Sequence, residues 1–456
     1  MHTITVNRVA AQTIAFLTFL LACGFTLAEA AGQSAGAPAP AIAGPTIDPA
    51  RVPVEFLRGK RPQATHRRDG LTRTSSRVRS GVPGIDSVAN WTDQFIADGF
   101  DDVGNPKSVW PFSMVGAPPE SGRTTHINAP IIPVTVELLD RFGRVGTTST
   151  GAPLRTIVTR NIIDAVKHSP VFERFKYTSG TGQFNDQLMR AQFFDRIGHR
   201  RDDGDDDDDD GGWHTLLRPS VETTRVMRIP RGSYLFAENA DGTCCAFVLA
   251  DFLPFVNLLF PATPADTTTV IGAAEHAGDM TTRDITTLLF NNVFLFDGDP
   301  GNCCTLGFHS YDLEPGDARN GNRERRFVMD FASWISNGLF SFGFEDITAF
   351  SHEVSEIFAD PFVDNATPWW LSVDPTLGFS LCQNNLENVD VVEVLTSNPV
   401  HAIPMHGRTY HPQNVALFSW FAFQSPSTAH LKAFSFPDET TLTSLSPGPL
   451  RPGCVP

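Results

Sequence analysis

The chain has 456 residues, 41% of them apolar and 19% charged, enough to bury a core in one large domain or two ordinary ones. Its formal charge of −16 disfavours nucleic acid and anionic membrane surfaces as partners. Part of that charge is a single run, "DDGDDDDDDGG" (202–212), and the remainder is only mildly acidic.

Residues 1–30 read as an export signal: Arg8 supplies the positive start, Val9 to Ala28 the apolar stretch, and "AEA" (28–30) the small residues of a cleavage site. Two alternatives stay open. "LLAC" (20–23) resembles a loose lipoprotein box with Cys23 lipidated, and the apolar stretch is nearly long enough to remain as a signal anchor. A secreted, periplasmic or extracellular location is expected in each case. Residues 31–88 are rich in Ala, Pro and Gly and then in Arg, and read as a linker or pro-segment. Setting Cys23 aside, six cysteines remain, an even number that suits disulfides outside the cytoplasm. Adjacent cysteines pair with each other only under strain, so cross-links between Cys244/Cys245 and Cys303/Cys304 are the simplest expectation, with Cys382 and Cys454 left over.

A single large α+β domain is expected over 89–456, with a division into 89–220 and 221–456. "INAPIIPVTVEL" (127–138) reads as a buried strand. "LRTIVTRNIIDAVKHSP" (154–170) puts Leu154, Ile157, Ile162 and Val166 on one helical face, and "FNDQLMRAQFFDRIG" (184–198) reads as a second amphipathic helix ending at Gly198. The acidic run lacks the spaced ligands of a calcium loop and reads as a solvated insertion. From 223 to 335, apolar runs alternate with turns, which predicts mostly strand with one helix around 283–291.

"SHEVSEIFADP" (351–361) then poses the functional question. Asp346 is placed to cap a helix starting at Ile347, and Asp360-Pro361 stops it. Ile347, Phe350, Val354, Ile357 and Phe358 form the expected core stripe, with His352 and Glu356 side by side opposite it and Glu353 at the edge. A metal helix and the polar side of a surface helix both satisfy this pattern. As a metal site, His352 and Glu356 are ligands, a downstream carboxylate completes the set, and Glu353 is the base that takes a proton from water. A Glu where H-E-x-x-H proteases have their second His makes bound water less acidic and the site harder. Zinc is the first expectation for one divalent ion, with manganese, iron or calcium competing. Downstream, "CQNNLENVDVVEV" (382–394) offers Glu387 and Asp390 just before or within a strand.

"HEVSEIFADP" (352–361) followed by "ENVD" (387–390) is similar to the motif set of the secreted phosphate-induced or EXORDIUM-like proteins, as is "CCTLGFHSYD" (303–312). A group of exported bacterial proteins related to that family resembles the chain more closely, through "INAPIIPV", "WHTLL" and "YHPQ" (127–134, 213–217 and 410–413), over roughly 90–456. The resemblance implies a zincin-like mixed sheet packed on the HExxE helix, stabilised by disulfides. It also implies Glu387, with Asp390 behind it, as third ligand. It does not by itself imply peptidase activity.

Other residues have two readings each. His309 in "GFHSYD" either reaches the metal or is a structural histidine of a sheet, the latter being the plainer reading. Tyr410 and His411 are candidates for stabilising an oxyanion. His276 reads as surface and "FDGDPGN" (296–302) as a turn. The function expected is an exported metallohydrolase acting on a peptide or protein substrate. The alternative is a non-catalytic envelope protein binding a partner or cell-wall polymer, with a structural or lost metal. A glycosidase is disfavoured because Glu353 and Glu356 adjoin on one helix, whereas its carboxylates must flank the bond.

Overall fold

The computed structural model describes residues 82–443 apart from 99–106, 149–150, 198–211, 238–245, 301–302, 341–342, 375–378 and 397. The export signal, most of the linker, the acidic run and Cys23, Cys244, Cys245 and Cys454 lie outside the described residues, and with them the expected cross-links between Cys244/Cys245 and Cys303/Cys304; Cys304 is buried.

The architecture is mixed α/β around an 8-stranded, mostly parallel sheet. Its spine is the strand Thr124–Leu138, which pairs in parallel with His214–Val221, Arg225–Ile229 and Thr286–Asn291. Thr286–Asn291 then pairs in parallel with Glu324–Trp334, which takes Gly307–Glu314 antiparallel on its other side. Strands from both sides of position 220 therefore share one sheet. Ile85–Asp86, inside the stretch read as linker, joins the same sheet against Glu324 and Arg325.

Period-two alternation sends side chains to two cores. Ile127, Ala129 and Ile131 face the core that contains the "HEVSE" helix, and Ile132, Val134, Val136 and Leu138 face the opposite core. Burial on both faces is why this strand is almost continuously apolar. Helices Phe252–Leu259 and Val270–Ala277 cover the second face. Neither was expected, and the stretch around 283–291, read as a helix, is instead the strand Thr286–Asn291. Its β-branched and apolar residues fit a strand buried on both faces, which periodicity alone does not separate from a buried helix.

The other helices are shorter than their patterns. The first runs only Arg160–Lys167, capped by Thr159, because Arg155–Thr156 pairs with the spine strand; Ile157 is consequently exposed rather than core. The second is Phe184–Gln192, and all nine of its residues are buried, so it is not amphipathic. Among the described residues, no helix is long and apolar enough to cross a membrane.

Candidate metal centre

The site helix spans Thr348–Ala359 and rests on strands Gly307–Glu314 and Glu324–Trp334. Asp346 accepts the Ile347 N–H but is not the helix cap. Thr348 Oγ1 accepts the Glu345 N–H at 3.2 Å and has the carbonyls of Glu345 and His411, each at 2.7 Å, as acceptors for its one proton. The expected wet face does not exist: all twelve residues are buried. The non-apolar ones are satisfied internally. Ser351 Oγ donates to the Thr348 carbonyl and accepts from the Gln413 N–H, and Ser355 Oγ donates to the Ser351 carbonyl.

His352, Glu356 and Asp390 come together. His352 Nε2 lies 3.2 Å from Glu356 Oε2 and 3.3 Å from Asp390 Oδ1. On the far side of the ring, Nδ1 lies 3.0 Å from Gln413 Oε1 and 3.2 Å from Glu393 Oε1, and Gln413 Nε2 donates to the same Glu393 oxygen at 2.7 Å. Since Gln413 Oε1 can only accept, Nδ1 carries a proton, and Nε2 is the nitrogen that becomes free to bind a metal once its own proton is displaced. A ligating histidine is commonly oriented in this way. Asp390 opens the helix Asp390–Leu395 rather than sitting in or before a strand. Glu387 is 2% exposed, takes a hydrogen bond from Asn385 Nδ2 at 3.0 Å, and shares one with Glu356.

The sheet supplies a second half. His309 points toward the site helix, and its Nδ1 is 3.3 Å from Glu356 Oε2 and 3.6 Å from Glu353 Oε2. Directly across from it on the neighbouring strand is Asp330, fully buried and hydrogen-bonded by Thr287 Oγ1 at 3.0 Å. Gly307 makes room: a Cβ there would stand 2.5 Å from Glu353 Oε1.

Six buried carboxylates (Asp330, Glu353, Glu356, Glu387, Asp390 and Glu393) thus surround two buried imidazoles. Burial pushes Glu387 and Asp390 well above the carboxylate range, and the charge on Glu356 pushes them further. Burial alone raises Glu356 too, but His352 and His309 overcome it and hold the carboxyl low. Burial disfavours charge on the imidazoles, yet His352 and His309 are both raised well above the ordinary histidine range by the acidic groups around them. Neutralisation by protons is the costly way to bury so much negative charge. A divalent cation does the same work with direct bonds, releasing the protons. The buried His, Glu and Asp groups could therefore hold a metal ion, in the sets His352–Glu356–Asp390 and His309–Glu353–Glu356.

Tyr410 and His411 are engaged elsewhere. The buried Tyr410 hydroxyl donates to the Ala165 carbonyl at 3.0 Å, and His411 pairs with Asp346 at 2.8 Å and Glu345 at 3.5 Å. From "YHPQ" it is Gln413 that reaches the centre. His276 is exposed, as expected. His309, preferred above as structural, is a candidate ligand. Asp330, Glu393 and Gln413 were missed. Asp330 has a signal, a lone charged residue within the apolar run 327–332.

No protein-family model, curated protein or solved structure matches the chain.

Proposed function

We propose that this is an exported metal-dependent hydrolase of zincin-like type, stabilised by disulfides and related to the EXORDIUM-like secreted proteins, that cleaves peptide bonds with water. The observation that carries the reading is Glu353: it stands beside the set His352–Glu356–Asp390 without belonging to it, and in the neighbouring set His309–Glu353–Glu356 it offers only one of its two oxygens. That is the relation of a general base to a ligand set. A divalent ion bound there, zinc or manganese by the mixed nitrogen and oxygen donors, supplies Lewis acidity and an acidified water.

The residues around it have distinct parts. His352 Nε2, Glu356 and Asp390 bind, and Glu387 braces Glu356. Gln413 and Glu393 hold the imidazole in the binding tautomer. Burial raises the Glu353 carboxyl above the ordinary carboxylate range, against the opposing pull of His352 and His309, which favours its accepting a proton.

A second reading is favoured by one feature: none of these ligands is more than 6% exposed, as in closed structural metal sites. On that reading the ion stabilises a non-catalytic envelope protein that binds a wall polymer or protein partner. Glu353→Gln separates the two. The enzyme keeps its fold and loses turnover on a peptide library by at least ~100-fold, the size of a general-base contribution. If wild type and Glu353→Gln cleave nothing above background while both hold metal, the hydrolase is excluded and the structural reading stands.

A further inference from the structure

We propose that the centre binds two divalent ions, bridged by the Glu356 carboxylate. The inference rests on the metal-site reading above and extends it.

The candidate ligands fall into two sets, His309–Glu353–Glu356 and His352–Glu356–Asp390, and the only residue in both is Glu356. The sets come from opposite walls. His309 projects from the sheet, and Asp390 from the chain beyond the site helix, with the helix between them supplying His352, Glu353 and Glu356. Glu356 Oε2 is 3.3 Å from His309 Nδ1 and 3.2 Å from His352 Nε2. Neighbouring ligands on one ion with bonds of ~2.1 Å are separated by roughly 3.0–3.4 Å. Each imidazole is therefore spaced to share an ion with Glu356 on its own side.

Charge favours the same count. Glu353, Glu356, Glu387 and Asp390 carry four negative charges when ionised, and all are buried. One dication leaves two of them uncompensated, whereas two dications balance all four with both imidazoles neutral; the outer carboxylates Asp330 and Glu393, also buried, only add to the demand for positive charge. The two sets hold three carboxylates and two histidines, with Glu387 against Glu356 as a fourth carboxylate, which comes close to the four-carboxylate, two-histidine donor set of the di-iron and di-manganese carboxylate proteins, whose four-helix framework differs from this one. The comparison concerns donor chemistry alone.

A separate observation points to an unfilled demand around both halves. His309 Nε2, Asp330 Oδ1 and Glu393 Oε2 are buried atoms with no hydrogen-bond partner among the described residues. Each imidazole has a buried carboxylate behind or opposite it, Glu393 at His352 and Asp330 at His309. Glu393, within hydrogen-bond reach of Nδ1, is placed to orient the His352 imidazole, whereas Asp330 faces His309 across the strands without a hydrogen bond to it. With both sets filled, Glu353 binds through Oε2, and its Oε1, lying over Gly307, remains to accept a proton. The oxygen-rich donors suit manganese(II) or iron(II).

The test is a manganese(II) titration of chelator-stripped full-length protein. Retained metal is counted by mass spectrometry after desalting, and the paramagnetic resonance spectrum is recorded. Two ions per chain with a spin-coupled spectrum are expected for wild type. His309→Ala and His352→Ala should each retain one ion with an uncoupled spectrum, circular dichroism verifying their fold. One magnetically isolated ion per wild-type chain overturns the two-ion centre and leaves the one-ion reading intact. No ion retained in wild type, with zinc tried in parallel, overturns both. The wild-type count decides the matter even where a variant does not fold.

Discussion

Gly307→Ala tests the geometry of the centre without removing any charged group. Gly307 lies at the start of the strand that carries His309, in register with Ala332. An added Cβ would stand 2.5 Å from Glu353 Oε1 and 2.8 Å from both Glu353 Cγ and the Phe331 carbonyl oxygen. The first contact falls about 0.9 Å inside the 3.4 Å at which ordinary contact begins. The Phe331 carbonyl cannot yield easily, because Phe331 is paired with Phe308 on one side and Leu288 on the other. Glu353 is itself held by the site helix, so the strain is shared between a strand and a helix. Overpacking of this kind costs ~1–3 kcal/mol. A shift of about 1 Å at a catalytic group typically lowers turnover ~100-fold.

Two measurements follow: the denaturation midpoint of wild type, Gly307→Ala, Glu353→Ala and the double variant, and metal retention by each. Gly307→Ala should be less stable. The double variant should recover part of the loss, since truncating Glu353 removes two of the three clashes but not the one with the Phe331 carbonyl. Strictly additive losses in this cycle, or an unchanged midpoint for Gly307→Ala alone, would show that Gly307 is not there to admit Glu353.

Gln413→Leu should weaken metal binding ~10–100-fold by releasing the His352 ring, read by chelator competition, and undiminished affinity would remove Gln413 from the centre. Asn365→Ala should destabilise the fold by about 1–3 kcal/mol for each group it orphans, since Asn365 receives the Ser113 N–H at 2.8 Å and donates to the Ser113 carbonyl at 2.7 Å; urea midpoints measure it. Glu275 and Asp312 form a separate acidic pair, pushed up to about 9 and about 6 by burial and by neighbouring carboxylates. Both values are raised above the unfolded ones, so between them the folded state binds more protons, and stability falls as pH rises from about 4 to 9. Glu275→Gln should therefore raise the melting temperature more at pH 8 than at pH 5, and an equal change at both would contradict the pairing. Stripping the metal with a chelator should lower the melting temperature, by an amount that grows with the ratio of free ion to its dissociation constant, and replacing both His309 and His352 by Ala should abolish that dependence.

Local rules in the sequence determined the pieces of the centre that lie close together along the chain. The spacing His352, Glu353, Glu356 puts three donors on adjoining turns of any helix, and Asp360-Pro361 ends that helix wherever it sits. The near-continuous apolar run of 127–138 could only be a buried element. What covers a helix is not local. The stripe of Ile347, Phe350 and Val354 implied one buried face, but strand pairing from 307–334 and the packing of 389–413 closed over the other, which turned a surface pattern into a buried charged cluster. The same closure decided the partners. His309, Asp330 and Gln413 are far from the site helix in sequence and join the centre because alternation aims every second strand residue at that helix and because the segment after Tyr410 runs back along it, the Gln413 N–H donating to Ser351 Oγ. The β-branched run "VDVVEV" favoured a strand, yet Asp390–Leu395 is a helix, because packing against the chain around it outweighs a propensity difference of a few tenths of a kcal/mol per residue. Donor chemistry was written in the chain; the number of carboxylates gathered around each imidazole, and hence the demand for positive charge, is a property of the fold.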